Sequence, residues 1–220
     1  FTFQWQLGDD SSSFSNIDGE INKTFTIPSD QSYVNKFIRV TAVSEDNRGG
    51  TTSFISSSKL IENVNDFPVF ISTPIEAATE DSEYIYTIKV SDEDLSGNID
   101  LSENITFTAL TLPNFLTLNP IDNNTATLTG IPLQENVGNN LVEIKVEDSL
   151  GAFAIQQFVI QVFNVNDVPT ITSIPITNAL EDSEYVYTIK INDEDLSGNV
   201  DLSENITFTA LTLPNFLTLN

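Results

Sequence analysis

Glu80-Asp81-Ser82-Glu83-Tyr84-Ile85-Tyr86-Thr87-Ile88-Lys89-Val90-Ser91-Asp92-Glu93-Asp94 is the stretch from which the rest of the chain can be read. Tyr84, Tyr86, Ile88 and Val90 alternate with Ile85, Thr87 and Lys89, a period of two that puts one set of side chains on each face of a strand. Acidic residues bracket that strand, Glu80 and Asp81 ahead of it, Asp92 and Asp94 behind. The stretch opens a forty-residue block, Glu80 to Asn119, which returns 101 positions later as Glu181 to Asn220. Four pairs differ (Ile85/Val186, Val90/Ile191, Ser91/Asn192, Ile99/Val200), each keeping size or polarity. Near-identity at a fixed spacing is the mark of one folding unit repeated in tandem. We expect the 220 residues to be a piece of a longer array, entering inside one unit and leaving inside another.

The same alternation recurs along the chain. Val142, Ile144 and Val146 alternate with Glu143, Lys145 and Glu147, and strand-like segments are expected at Phe25–Ile27, Phe37–Val43, Ile105–Leu110, Thr125–Leu128 and Phe158–Phe163. Gly, Asn, Asp, Ser and Pro clusters separate them, and no stretch has a helical period. Roughly seven short strands per hundred residues, all antiparallel by their short connections, predict an all-β chain of two-sheet, immunoglobulin-like sandwiches. The single Trp, Trp5, is expected in a core.

A second repeated phrase divides the chain. Asn63-Val64-Asn65-Asp66-Phe67-Pro68 returns as Asn164-Val165-Asn166-Asp167-Val168-Pro169, again 101 residues on. Pro biases its predecessor toward an extended conformation, so this linker is expected to be short and directional. The units are then 1–66, lacking its first strands, 67–167, complete, and 168–220, lacking its last strands.

Composition narrows the chemistry. With no His and no Cys, the chain has no imidazole base, no thiolate nucleophile and no soft ligand for zinc, copper or iron. There are 32 acidic residues against 8 basic, a net charge of −24, which repels nucleic acid and anionic membranes. A hydrophobic share of 40% separates this acidity from that of a disordered chain. No apolar run is long enough to span a membrane. The chain should fold, and should call for cations.

The linker Asn-Val-Asn-Asp-x-Pro, the acidic Glu80-Asp81 before a strand, Asp92-Glu93-Asp94 after it, Leu128-Thr129-Gly130-Ile131-Pro132 and Val146-Glu147-Asp148-Ser149-Leu150-Gly151 together resemble bacterial cadherin-like repeats of the dystroglycan type. The first unit, with its Gln4-Trp5-Gln6 strand and Lys36 to Ala42, resembles the Ig-like repeats that accompany them in large repetitive adhesins, RTX-type ones included. The resemblance implies tandem immunoglobulin/cadherin-like β-sandwich domains with Ca2+ at the joints. Carried over, the first joint would use Asn63, Asn65, Asp66, Asp92, Asp94 and Asp148. The second would use Glu80, with Glu135 as a further candidate, then Asn164, Asn166, Asp167, Asp193 and Asp195. The linkers depart from the cadherin pattern, with Asn63 and Asn164 where Asp is favoured, and fewer charged ligands weaken such sites.

The residues themselves offer a competing placement. Asp92-Glu93-Asp94-Leu95-Ser96-Gly97-Asn98-Ile99-Asp100-Leu101-Ser102-Glu103 has oxygen side chains at positions 1, 3, 5 and 9, Gly at 6 and Glu at 12, the spacing of an EF-hand loop except for Ser at position 5. Asp193 to Glu204 repeats it. Here strands flank the loop, so only the ion-binding turn would be shared, with Glu103 or Glu204 closing it. The linker acids and Asp148 have no role in a local loop, which favours the joint.

The expected function is a calcium-rigidified extension segment, or stalk, of a secreted or surface-attached bacterial adhesin, holding a binding module away from the cell. It is not expected to be an enzyme. Its expected partners are the neighbouring repeats of the same chain and, beyond them, other copies of itself or a surface ligand bound outside this segment, with no nucleic acid and no membrane insertion. A self-assembling extracellular filament and a calcium-dependent sugar-binding module are the alternative readings.

Overall fold

The computed structural model describes residues 1–95, 104–196 and 205–220. Among them every regular element is a β-strand or a short 3-10 turn, and no helix is long and apolar enough to cross a membrane. Unit 1 holds β1 (Thr2–Gly8), β2 (Ser15–Asn16), β3 (Phe37–Glu45), β4 (Thr51–Ile55) and β5 (Lys59–Leu60). Unit 2 holds β6 (Val69–Phe70), β7 (Ala77–Thr79), β8 (Tyr84–Ser91), β9 (Thr106–Thr111), β10 (Leu116–Asp122), β11 (Thr125–Gly130), β12 (Gly138–Glu147) and β13 (Phe153–Phe163). In unit 3 the described strands are β14 (Thr170–Ile171) and β15 (Ile191–Asn192).

Unit 2 is a complete sandwich. One sheet runs β10-β11-β8-β6 and the other β7-β13-β12-β9. The alternation of β8 becomes a strict inside–outside pattern, with Tyr84, Tyr86, Ile88 and Val90 buried and the residues between them exposed. They meet Val142, Ile144, Val146, Phe158 and Ile160 from the facing sheet. Each fully buried aliphatic or aromatic side chain contributes on the order of 1.5–3 kcal/mol by leaving water. Tyr86 stacks edge-on against Phe158, centroids 5.8 Å apart, and its hydroxyl is satisfied by Ser72 Oγ at 2.7 Å and Gln156 Oε1 at 2.9 Å. Tyr84 donates to the Ile75 carbonyl at 2.7 Å. Gly130 must be glycine, since a Cβ there would lie 1.8 Å from the Phe115 carbonyl oxygen.

The structure departs from the sequence expectation in three places. First, β7 pairs with β13 in parallel, through Gln161↔Ala77 to Phe163↔Thr79. The leading segment of the unit starts against β8 as β6 and crosses to the facing sheet as β7, so it closes both sheets. Second, Phe25–Ile27 forms no strand. Its counterpart β11 is held on one side by β8 and on the other by β10, and among the described residues Phe25–Ile27 has no such ladder. Third, Trp5 is only half-buried. It packs on Phe25, centroids 5.8 Å apart, and its indole N–H donates to the Asn22 carbonyl at 3.0 Å.

Candidate metal centres at the unit joints

Strand ends and turns bring the acidic residues to the joints. β8 stops at Ser91, and Asp92 Oδ1 accepts the Asp94 backbone N–H at 2.9 Å, bending the chain so that both carboxylates turn inward. Asp148 follows β12 in a second such turn, its Oδ1 accepting from Leu150 N at 2.8 Å and Ala152 N at 2.9 Å, with Gly151 at φ 91° closing the hairpin. Asp92, Asp94 and Asp148 have almost no exposed surface.

The linker then docks on them. Asn63 Nδ2 donates to Asp94 Oδ1 at 2.7 Å, the Asp66 N–H to Asp94 Oδ2 at 2.7 Å, and Asn65 Nδ2 to Asp148 Oδ2 at 2.8 Å. Thus all six residues expected at the first joint come together. A seventh joins them that the sequence reading missed. Gln31, at the start of the 3-10 turn Gln31–Tyr33 of unit 1, donates through Nε2 to both Asp66 Oδ2 and Asp94 Oδ1 at 3.1 Å. It is the side-chain contribution of the preceding unit.

The second joint repeats the pattern. Asn164 Nδ2 donates to Asp195 Oδ1 at 2.7 Å, the Asp167 N–H to Asp195 Oδ2 at 2.6 Å, and the Asp195 N–H to Asp193 Oδ1 at 3.1 Å. Glu80 reaches in from unit 2 and accepts the Val165 N–H at 2.5 Å. Its direction is set by its own N–H bonding the Phe163 carbonyl and by Asp81 in the left-handed region at φ 56°. Gln134, first residue of the 3-10 turn Gln134–Asn136, is the counterpart of Gln31. In the amide orientation that satisfies both neighbours, its nitrogen lies 2.6 and 3.2 Å from the Glu80 oxygens and 3.0 Å from Asn164 Oδ1.

Two expected residues stand apart from the second cluster. Glu135 is exposed and accepts from Asn114 Nδ2 at 3.0 Å, its neighbour Gln134 taking the inward place. Asn166 turns its amide to the Asp167 carbonyl. Glu103 and Glu204, which would close the local loops, lie outside the described residues, as does most of each loop. A sequence signal for the glutamines does exist: Ile27-Pro28 and Ile131-Pro132 each precede a Gln-x-x-Val, Gln31 to Val34 and Gln134 to Val137.

The electrostatics are one-sided. Burial, and then the charges of Asp94, Asp148 and Asp66, push the Asp92 carboxyl above the usual carboxylate range. Glu80 is pushed up the same way, by burial and by Asp167, Asp81 and Asp195, against the lowering effect of the Val165 N–H. Asp167 is raised by desolvation and by Asp195, Asp81 and Asp193. Among the described residues the ion pairs are Lys36–Asp9 and Lys145–Glu147, and neither touches a joint. Buried carboxylates without a cation carry an uncompensated desolvation penalty.

Four buried side-chain oxygens have no hydrogen-bond partner among the described residues, namely Gln31 Oε1, Asn65 Oδ1, Asp92 Oδ2 and Asp193 Oδ2. All are hard oxygen donors and all belong to the joints. The donor set of carboxylates and amides fits a hard divalent cation and no thiolate- or imidazole-seeking metal. Among the described residues no three carboxylates already stand in ligating geometry. Amide N–H groups occupy the space between them instead, so a cation would turn the Asn and Gln amides to present oxygen.

Comparison with known proteins bears on the fold. Residues 67–163 match the family described as "Putative Ig domain". No curated protein matches the chain. Among solved structures, an endo-fucoidan hydrolase of glycoside hydrolase family 107, MfFcnA4, is 19% identical over 62% of this chain and 21% of its own, with a TM-score of 0.38. The SrpA adhesin from Streptococcus sanguinis is 18% identical over 52% and 68%, TM-score 0.33. Titin domain M7 is 14% identical over 46% and 98%, TM-score 0.32. The chain spans about a fifth of the length of the fucoidan hydrolase.

Proposed function

We propose that this chain is a calcium-stiffened spacer, a run of Ig-like units that extends a secreted or surface-attached bacterial adhesin and carries no catalysis of its own. The observation that supports it is the pair of joint clusters. Each gathers carboxylates from a linker and a following unit with a Gln of the preceding unit, and each leaves a buried aspartate oxygen, Asp92 Oδ2 or Asp193 Oδ2, without a donor among the described residues.

Calcium takes six to eight oxygen ligands and tolerates irregular geometry. Gln31, Asn63, Asn65, Asp66, Asp92, Asp94 and Asp148 would hold it at the first joint, and Glu80, Gln134, Asn164, Asp167, Asp193 and Asp195 at the second. The bound ion would supply charge compensation and a bond network across the linker. Without it the carboxylates repel and the joint is held by single amide contacts. With it, neighbouring units lock at one angle, and locked angles summed over an array make a rod.

A calorimetric titration of the chelator-treated chain with calcium tests this. Two sites per chain, accompanied by lengthening in small-angle scattering, are expected. Absence of calcium binding, or a compact globule in calcium, overturns the spacer reading.

A further inference from the structure

Unit 2 hangs between two linkers that dock at opposite ends of it. The first meets Asp94 and Asp148, and the second meets Glu80. β13 starts just past the Asp148 turn and ends at Phe163, immediately before Asn164, so it runs from the first joint to the second. β7 pairs with it in parallel and therefore runs the same way. The two strands nonetheless lead to opposite linkers, β13 directly into the second and β7 back through β6 to the first.

The contact between them extends beyond its ladder. It opens with the Gln161 N–H on the Glu76 carbonyl at 2.9 Å, continues through Gln161↔Ala77, Val162↔Ala78 and Phe163↔Thr79, and closes with the Glu80 N–H on the Phe163 carbonyl at 3.0 Å. The Glu80 carboxylate then accepts the Val165 N–H at 2.5 Å, which carries the contact into the linker. Ala78 and Val162 belong to the buried core, which keeps water from taking over these bonds as they stretch. The β6 contact ahead of β7 is slighter, Val69↔Ser91 and Phe70↔Val90 with the Ile71 N–H on the Lys89 carbonyl at 2.9 Å.

We infer that unit 2 bears tension along the chain, and that the parallel β7–β13 pair sets the force at which it opens. A pull through the two linkers draws β7 toward the first joint and β13 toward the second, so the strands are loaded in opposite directions along their common axis. The bonds between them then share the load and must fail together. An antiparallel pair pulled apart at one end opens one bond at a time, and each bond meets the whole load alone. Forced unfolding is governed by the unfolding rate, and shear places that barrier at a short extension, where a given force lowers it least. β6 carries the load first and, with its fewer bonds, gives way before β7. None of these contacts needs an ion, so tension bearing stands or falls apart from the calcium reading.

The chain has no Cys, so paired Cys substitutions define where force is applied. In single-molecule stretching in chelator, the full chain carrying Phe67→Cys and Phe163→Cys is pulled through the linkers of unit 2. The chain carrying Glu135→Cys and Phe163→Cys is pulled where β12 and β13 meet at the second joint, Gly138 opposite Val162 in an antiparallel pair, and is peeled from that end. Phe67, Glu135 and Phe163 are all exposed. Unit 2 should open at several-fold higher force in the first geometry than in the second. Ala78→Pro, which removes the main-chain N–H at the middle of β7, should lower the force through the linkers toward the peeling value and leave the peeling force little changed. Equal forces in the two geometries, or a lower one through the linkers, overturn the inference, and so does a folded Ala78→Pro chain that keeps the parent's force. Should Ala78→Pro not fold, the comparison of the two geometries decides.

Discussion

Asp94 accepts the backbone N–H of Asp66 at 2.7 Å, and 101 residues later Asp195 accepts that of Asp167 at 2.6 Å. In each case an aspartate of the following unit grips the last acidic residue of the linker. A main-chain donor at that point fixes the path of the linker before any ion is considered. It also brings the side chains of Asp66 and Asp167 beside carboxylates that have no basic partner among the described residues. The joint is therefore ordered by hydrogen bonds and destabilised by charge, and a divalent cation, if bound there as proposed, would offset the second effect.

Calcium should raise the unfolding temperature. Extracellular calcium sites have dissociation constants near ~0.1 to 1 mM, so millimolar calcium adds about 1 kcal/mol per site by mass action. Differential scanning fluorimetry in calcium and in chelator measures it. Superimposable melts would rule calcium linkage out.

Asp94→Asn and Glu103→Gln separate the joint from the local loop. Asp94 receives bonds from Asn63, Asp66 and Gln31, all outside the loop. If the joint binds, Asp94→Asn halves the calcium stoichiometry, and Glu103→Gln leaves it intact. An isolated unit 2 would then bind weakly, its ligands being divided between units. Loss of binding in Glu103→Gln with full affinity in unit 2 alone would assign the ion to the loop.

The fold was legible wherever a strand had both its partners within the chain. β8, β11, β12 and β13 follow their apolar alternation because each is held on both sides, or across a full hairpin, by residues that share the period. Phe25–Ile27 has the same alternation and stays out of a ladder, since period two describes a side-chain pattern and a strand also needs neighbours. The parallel β7–β13 pair left no trace in spacing, because β6 and β7 are too short to show a period. At the joints the aspartates and asparagines were legible through the resemblance to cadherin-like repeats, which the repeated linker phrase and the repeated Asp-Glu-Asp carry. Gln31 and Gln134 went unread although each follows an Ile-Pro and opens a Gln-x-x-Val, because a neutral amide in a short polar turn reads as solvated surface until the fold carries it against Asp94 or Glu80.

Stability without calcium should increase on mild acidification. Burial raises the folded-state carboxyls of Glu80 and Asp92, and desolvation that of Asp167. A raised folded value means that the native chain binds protons more readily than the unfolded chain, so its stability grows as pH falls from about 7 toward 5. Asp10, Asp30 and Asp46 are lowered, each first by hydrogen bonds to nearby Ser or backbone N–H groups. Their contribution is present above the ordinary carboxylate range and is lost only below it, so the two windows do not overlap. Thermal melts in chelator should rise over the upper window, and melts in calcium should not, since the ion requires the ionised form. A chelator melt that falls on going from about pH 7 to pH 5 would contradict the buried like-charge clusters.

Gln31→Glu should act with opposite sign in calcium and in chelator. Gln31 is the side chain by which unit 1 reaches Asp66 and Asp94, and it brings no charge. A carboxylate there adds a charged oxygen to a site that already holds Asp66, Asp92, Asp94 and Asp148. In calcium, ligand charge sets affinity, and one further carboxylate should tighten binding up to about tenfold, roughly 1.4 kcal/mol. In chelator the same change replaces a donor bridging two carboxylates with a third negative charge beside them. The joint should then open, which small-angle scattering would report as a shorter, broader distribution of lengths, while the unit 2 melt stays in place because its core is untouched. Gln31→Ala removes the bridge without adding charge, and should loosen the joint in chelator while leaving calcium affinity within a few-fold of the parent. If Gln31→Glu shifted both conditions in the same direction, the cluster would not be a cation site, and Gln31 would serve only as a strut between the units.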